Sequence, residues 1–193
     1  MNGLEESRQF AIGTEGEDLF ESWLEEVRHY IAGKDFIRYD WENHSKEQKE
    51  HKDFWVKGVT VDVKWANSVF KYGDINIEYN VVKRRTEVVT NCYGKKEQKY
   101  FYETVENNWL RDAKCDYLVY GDRKLRKFFV VDVVMLKEYI NKYKTDKNKF
   151  TQHTANDGTL WTYFYAIPYS LLEGERIILG EICLGSEKCQ KKS

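Results

Sequence analysis

Asp53-Phe54-Trp55-Val56-Lys57-Gly58-Val59-Thr60-Val61-Asp62-Val63-Lys64 is the stretch on which the reading of this chain turns. It has the pattern of two short strands joined at Lys57-Gly58, where glycine supplies the positive φ of a tight hairpin turn. A two-residue turn pairs Val56 with Val59, Trp55 with Thr60, Phe54 with Val61 and Asp53 with Asp62. Side chains alternate along a strand, so Asp53, Trp55, Thr60, Asp62 and Lys64 share one face. Phe54, Val56, Val59, Val61 and Val63 share the other, which is uniformly apolar and expected to face the core. The register sets two carboxylates opposite each other, roughly 4.5–5.5 Å apart at Cβ, where like charges destabilise. A divalent metal between them is the simplest relief, with Lys64 two residues further along the same face. The plainer alternative is a surface ladder in which Lys64 merely offsets Asp62. It leaves the opposition of Asp53 and Asp62 unexplained.

Composition narrows the classes. The 193 residues show no repeat or linker, so one domain with a real core is expected. Lys and Arg number 31 against 32 Asp and Glu, so any nucleic-acid site must come from local clustering of cations rather than from net charge. An aromatic content of 16% with a single proline excludes a disordered chain. No apolar run approaches the roughly 18 residues of a transmembrane helix, and the acidic N-terminus lacks a signal peptide's plan. No membrane association is expected. Cys92, Cys115, Cys183 and Cys189 have no paired CxxC spacing, so they are expected to be free thiols in a reducing, cytoplasmic setting.

Outward from the hairpin, residues 14–32 read as a helix. Thr14 has the N-cap pattern with Glu17 three residues on, and Leu19, Phe20, Trp23, Leu24, Val27 and Ile31 form the apolar stripe. Glu17 and Glu21 stand four apart and so share a side of it. Phe36 to Tyr39 reads as a strand, and 43–52 as a polar approach to the hairpin. Ile75, Ile77 and Tyr79 alternate with Asn76, Glu78 and Asn80, a half-buried strand. Lys83, Arg84, Arg85, Lys95, Lys96 and Lys99, interleaved with Tyr93 and Tyr100, suit a flexible hairpin or loop against phosphates; a plain solvated surface fits as well. Residues 117–120 and 128–131 read as a second hairpin, 132–143 as an amphipathic helix, and 152–158 as a polar, turn-rich segment. Trp161 to Ile167 reads as a strand ended by Pro168, followed by one helical turn at 169–172 and a last strand at 177–179. The tail from Glu187 is polar and basic. Trp109 and Trp161 read as core residues rather than stacking platforms. Strands between helices give a mixed α+β (α/β) class, with a central mixed sheet flanked by helices.

Glu17 in an N-terminal helix, then Asp53, then Asp62-Val63-Lys64 on a hairpin, resembles the PD-(D/E)XK nuclease superfamily. Gly13-Thr14-Glu15-Gly16-Glu17 looks like the G-x-x-x-E segment of its first helix. Trp109-Leu110, Ala113 to Val119 and Phe129 to Leu136 look like small phage-encoded members. The likeness spans residues 13 to about 172; Lys52 stands where the motif's name has proline. The resemblance implies a restriction-endonuclease-like core and a metal-dependent nuclease acting on nucleic acid, DNA above all. It implies Mg²⁺ or Mn²⁺ held by Asp53, Asp62 and the Val63 carbonyl, with Glu17 coordinating directly or through water. Lys64 would orient the attacking water and stabilise transition-state charge. Lys83, Arg84, Arg85, Lys95 and Lys96 would meet phosphates. Whether Glu21 or Glu78 joins the site stays open, and a homodimer or larger assembly is in keeping with small members. The competing reading is a non-catalytic nucleic-acid- or protein-binding module on the same fold, such as a phage host-takeover factor.

Overall fold

The computed structural model describes residues 3–27, 36–66, 74–105, 108–122, 126–146, 148–156 and 160–184. The hairpin forms as its sequence dictates. Strands β2 (Phe54–Val56) and β3 (Val59–Ala66) pair Val56 with Val59, Trp55 with Thr60 and Phe54 with Val61. Lys57 and Gly58 both take positive φ, 48° and 93°, the geometry of a type I′ turn whose twist matches the flanking strands.

The chain is mixed α+β, and its described residues build a second sheet beside the expected mixed one. The first has the order β1-β2-β3-β6-β7-β10, from β1 (Phe36–Arg38), β6 (Tyr117–Asp122), β7 (Lys127–Asp132) and β10 (Ile178–Cys183). Only β3 and β6 run parallel in it, Asp62 opposite Leu118 and Lys64 opposite Tyr120. Parallel neighbours need a long crossover, and the chain spends that crossover outside the sheet. It forms β4 (Asp74–Thr90), β5 (Lys96–Thr104) and the short helix α3 (Trp109–Asp112) before returning as β6. A second excursion supplies β8 (Thr151–Asn156) and β9 (Leu160–Pro168), giving the antiparallel sheet β5-β4-β9-β8. Residues 152–156 therefore belong to a strand, where a polar turn was expected over 152–158, because β9 offers them backbone partners from Trp161 to Tyr165; 157 and 158 lie outside the described residues.

Parity along β3 separates two cores. Val61, Val63 and Trp65 meet Phe20 and Leu24 of helix α1 (Gly3–Val27), with Phe54, Val119 and Phe128. Leu118 and Tyr120 face the other way, into a larger core with Ile75, Ile77, Trp109, Leu136, Ile140 and Ile167. The expected apolar face of the hairpin is thus buried by α1. The face bearing Asp62 is covered too, by the second sheet and its connections. The apolar stripe of α1 is as read through Leu24, while Ile31 lies outside the described residues. Thr14 is no N-cap: the helix already runs from Gly3, since the preceding residues are also good helix formers. Where α1 crosses β3, Gly16 lies against Trp65, and Gly121 of β6 lies under the same indole. A Cβ at either glycine would occupy the space of the Trp65 side chain.

The remaining helices end where local chemistry stops them. Asp132 caps α4 (Val133–Tyr143), accepting from the Met135 amide at 2.9 Å, and Val133, Leu136, Tyr139 and Ile140 form its buried stripe. Asn108 caps α3 by accepting from Arg111. The polar approach to the hairpin contains a short helix, α2 (Ser45–Lys49), and the turn after β9 is α5 (Tyr169–Gly174). Cys92 and Cys115 are free, but Cys183 is disulfide-bonded, which corrects the expectation of free thiols throughout. Such a bond depends on two Cα atoms meeting at about 4.4–6.8 Å, which cysteine spacing alone does not reveal. No helix among the described residues is long and apolar enough to cross a membrane.

Candidate active site

At the N-terminal end of β2 the ladder stops one residue short of the expected Asp53/Asp62 pair. The Asp53 amide instead donates to the Val61 carbonyl at 2.8 Å, and the Asp53 carbonyl accepts from Tyr39 at 2.7 Å. Its carboxylate turns inward, where Oδ2 accepts the Val63 amide at 2.7 Å. Asp53 therefore sits beside Asp62 without being its ladder partner. The fourth pair is lost because Asp53 substitutes a side-chain acceptor for the backbone acceptor β2 no longer supplies. The N–H and C=O of one strand residue project to the same side, so the Val63 carbonyl also opens toward the vacated side of β3.

Asp62 is 1% exposed and Asp53 7%. Asp62 Oδ2 accepts from the indole Nε1 of Trp109, the first residue of α3, at 2.7 Å. Lys64 Nζ stands 3.3 Å from Asp62 Oδ1, an ion pair without hydrogen-bond geometry, so that oxygen is buried with no hydrogen-bond partner. Burial first, and the Asp62 charge second, push the Asp53 carboxyl well above the usual carboxylate range. For Lys64, burial pulls the ammonium down. The Asp62 and Asp53 carboxylates override it and hold Lys64 above the ordinary lysine value. A surface ladder is ruled out by the burial of both acids.

Lys64 opens on a cleft of about 560 Å³ lined also by His51, Asn76, Glu78, Trp109, Tyr120 and Phe164. Glu78, left open by the sequence, reaches this cleft from the second sheet. Its Oε1 accepts the Trp109 amide at 3.3 Å, and burial raises its pKa. His51 was missed altogether; a lone histidine in a polar stretch carries no signal. It takes a positive φ of 54° just before β2.

The helix acids behave differently from expectation. Glu17 binds Arg38 at 2.8 Å, and the same guanidinium takes Asp18 and Glu21 at 2.7 Å each. Glu21 is thereby accounted for outside the cleft, and Glu17 acts on Asp53 only through its charge. Arg38 is the residue sequence reading passed over, although three acids on one helix face call for a cation. Among the described residues no three His, Cys, Asp or Glu side chains are grouped closely enough to hold a metal ion. The site itself offers two carboxylates. That still fits a hard divalent cation, since Mg²⁺ is commonly held by one or two carboxylates plus water and phosphate oxygens, and Asp62 Oδ1 is buried without a hydrogen bond.

Of the two expected forms, the basic segment takes the hairpin. It continues β4 and turns into β5 as a two-stranded ribbon, Arg84 opposite Tyr102, Arg85 opposite Phe101 and Thr90 opposite Lys96. Asn91 closes the turn, accepting from the Tyr93 and Lys95 amides at 3.0 Å. Lys83 and Arg85 stand on one face, Arg84 and Lys96 on the other, and Lys95 in the turn. Trp109 is core, as expected, and Trp161 is half-buried in β9. Comparisons with family models, curated proteins and solved structures gave no match.

Proposed function

We propose that this chain is a metal-dependent nuclease with a restriction-endonuclease-like core, hydrolysing phosphodiester bonds of nucleic acid, with DNA as the substrate. The observation that carries the reading is the convergence of Asp53, Asp62 and Lys64 beside the vacated edge of β3, two buried acids and one cleft-facing ammonium. Asp53, Asp62 and the Val63 carbonyl are the groups that would hold Mg²⁺ or Mn²⁺. When bound, such an ion lowers the pKa of a coordinated water and neutralises phosphate charge. Trp109 fixes the orientation of Asp62, as second-sphere donors do for metal ligands. Asp62 and Asp53 raise the pKa of Lys64 against the effect of burial, and as an ammonium Lys64 would place a water and stabilise negative charge developing on the phosphorus.

The test is cleavage of single- and double-stranded DNA and RNA with and without Mn²⁺. Metal-dependent cleavage lost in Asp62→Ala and Lys64→Ala, both retaining native circular dichroism, is the expected result. Equal activity in wild type and both variants sinks the mechanism.

One observation favours the second reading, a non-catalytic binding module: Arg38 occupies the third acid, Glu17. Calorimetry separates the two. Stoichiometric Mn²⁺ binding lost in Asp53→Asn supports the nuclease, and no Mn²⁺ binding supports the module.

A further inference from the structure

The β4–β5 ribbon outruns its sheet. β9 pairs with β4 only as far as Lys83, so from Arg84 onward the described strand neighbour of β4 is β5 alone. All nine residues of β5 are exposed. The ladder has no register shift here, so alternation sorts the side chains cleanly into two faces. Lys83, Arg85, Glu87, Glu97, Lys99 and Glu103 share one face, three cations against three carboxylates. Lys83 opposes Glu103, Glu87 opposes Lys99, and Arg85 contacts Glu87 at 2.9 Å. That face is charge-compensated.

The other face carries Arg84 and Lys96 with Tyr100 and Tyr102, and none of the ribbon's carboxylates stands on it. Tyr100 is 53% and Tyr102 60% exposed, and the Arg84 guanidinium lies 5.2 Å from the Tyr100 ring centre. Among the described residues none of the ribbon from Arg84 onward is buried, and large exposed aromatics there call for a partner. Positive charge selects a polyanion, and ring faces select something with π-faces to stack on.

We propose that the Arg84–Lys96–Tyr100–Tyr102 face binds a single-stranded segment of nucleic acid, the two tyrosines stacking on bases and the two cations meeting phosphates. Residues two apart on a strand stand about 6.6–6.8 Å apart. That is about twice the 3.4 Å rise per base of a duplex strand, whose bases stack on one another and offer no free ring face. An unpaired strand can open to that spacing. The proposal rests on the nucleic-acid reading above and names the form of the substrate the ribbon takes.

The experiment is fluorescence anisotropy in EDTA, which keeps the chain from cutting, with a labelled mixed-sequence single strand and its duplex. Tyr100→Ala/Tyr102→Ala is expected to weaken single-strand binding by about thirtyfold or more while moving duplex binding far less. Arg84→Ala/Lys96→Ala is expected to weaken it more than Lys83→Ala/Arg85→Ala, which removes equal charge from the compensated face. Unchanged single-strand affinity in the tyrosine variant, or equal losses from both charge pairs, overturns the proposal. So does a wild-type dimer that becomes monomeric in the tyrosine variant by light scattering, which would assign the face to a second copy of the chain. A chain that binds single strands face-selectively but never cuts removes the nuclease reading and leaves this one standing. A chain that cuts, with the tyrosine variant binding as wild type, does the reverse.

Discussion

The Asp53 carboxylate accepts the amide hydrogen of Val63, ten residues further along the chain, at 2.7 Å. That bond explains how two buried acids come to lie side by side. β2 stops at Phe54, β3 runs on, and Asp53 fills the first vacated hydrogen-bonding position with its side chain. The strand edge is satisfied at the expense of placing one carboxylate beside another.

Asp53→Asn should make the metal-free protein more stable at neutral pH, on the order of 1 kcal/mol, since asparagine can still accept from Val63. The carboxyl's pKa in the folded chain lies above its unfolded value. Its contribution is therefore favourable at low pH and is lost as pH rises through the folded-state pKa. Urea melts of both proteins across pH 4–8 should accordingly diverge as pH rises. Parallel curves would contradict the electrostatic account.

Trp109→Phe should retain the indole's packing role in large part while leaving Asp62 Oδ2 without its donor. A buried acceptor that loses its partner costs about 1–3 kcal/mol. Denaturant unfolding measures that loss, and on the proposed nuclease reading cleavage should slow even where the fold survives.

Glu50 should protect the fold against acid. Lys114 and Lys52 hold its carboxylate at about 2, below the ordinary glutamate value of 4.5. The stabilisation is present above pH 4.5 and disappears as pH falls from there toward 2. Glu50→Gln should thus be less stable than wild type at neutral pH and converge with it in acid. The same segment leads into His51 and Asp53, and the Lys114 amide donates to the Glu50 carbonyl at 2.8 Å.

Gly16→Ala and Gly121→Ala should each destabilise by about 1–3 kcal/mol, the range for overpacking. Both glycines press on Trp65, from α1 and from β6 respectively. Trp65→Leu should recover part of the loss for Gly121→Ala in thermal melts, because the added Cβ meets indole ring atoms there, but not for Gly16→Ala, whose Cβ meets Trp65 Cβ and Cγ, which leucine keeps. Additive losses for the Gly121 pair would show that the indole is not the obstacle.

The hairpin was legible because its determinants are local. Lys57-Gly58 selects the turn, the turn sets the register, and three of the four expected pairs follow. The class, the buried stripe of α1 around Phe20 and Leu24, and the Asp132-capped helix α4 are local in the same sense. Thr14 shows the limit of that reasoning, since a capping pattern inside a longer helical segment caps nothing.

By itself, then, the sequence determined that Asp53, Asp62 and Lys64 would share a neighbourhood, because strand alternation and a two-residue turn leave little choice. Tertiary structure alone decided what surrounds them. Trp109 reaches Asp62 across 47 positions, and Arg38 gathers Glu17, Asp18 and Glu21 from about twenty residues away. β4 finds β9, so the expected basic hairpin or loop grows out of a four-stranded sheet. Each of these depends on a pairing between distant segments, whose energy comes from shared burial and complementary charge that no local window of residues contains.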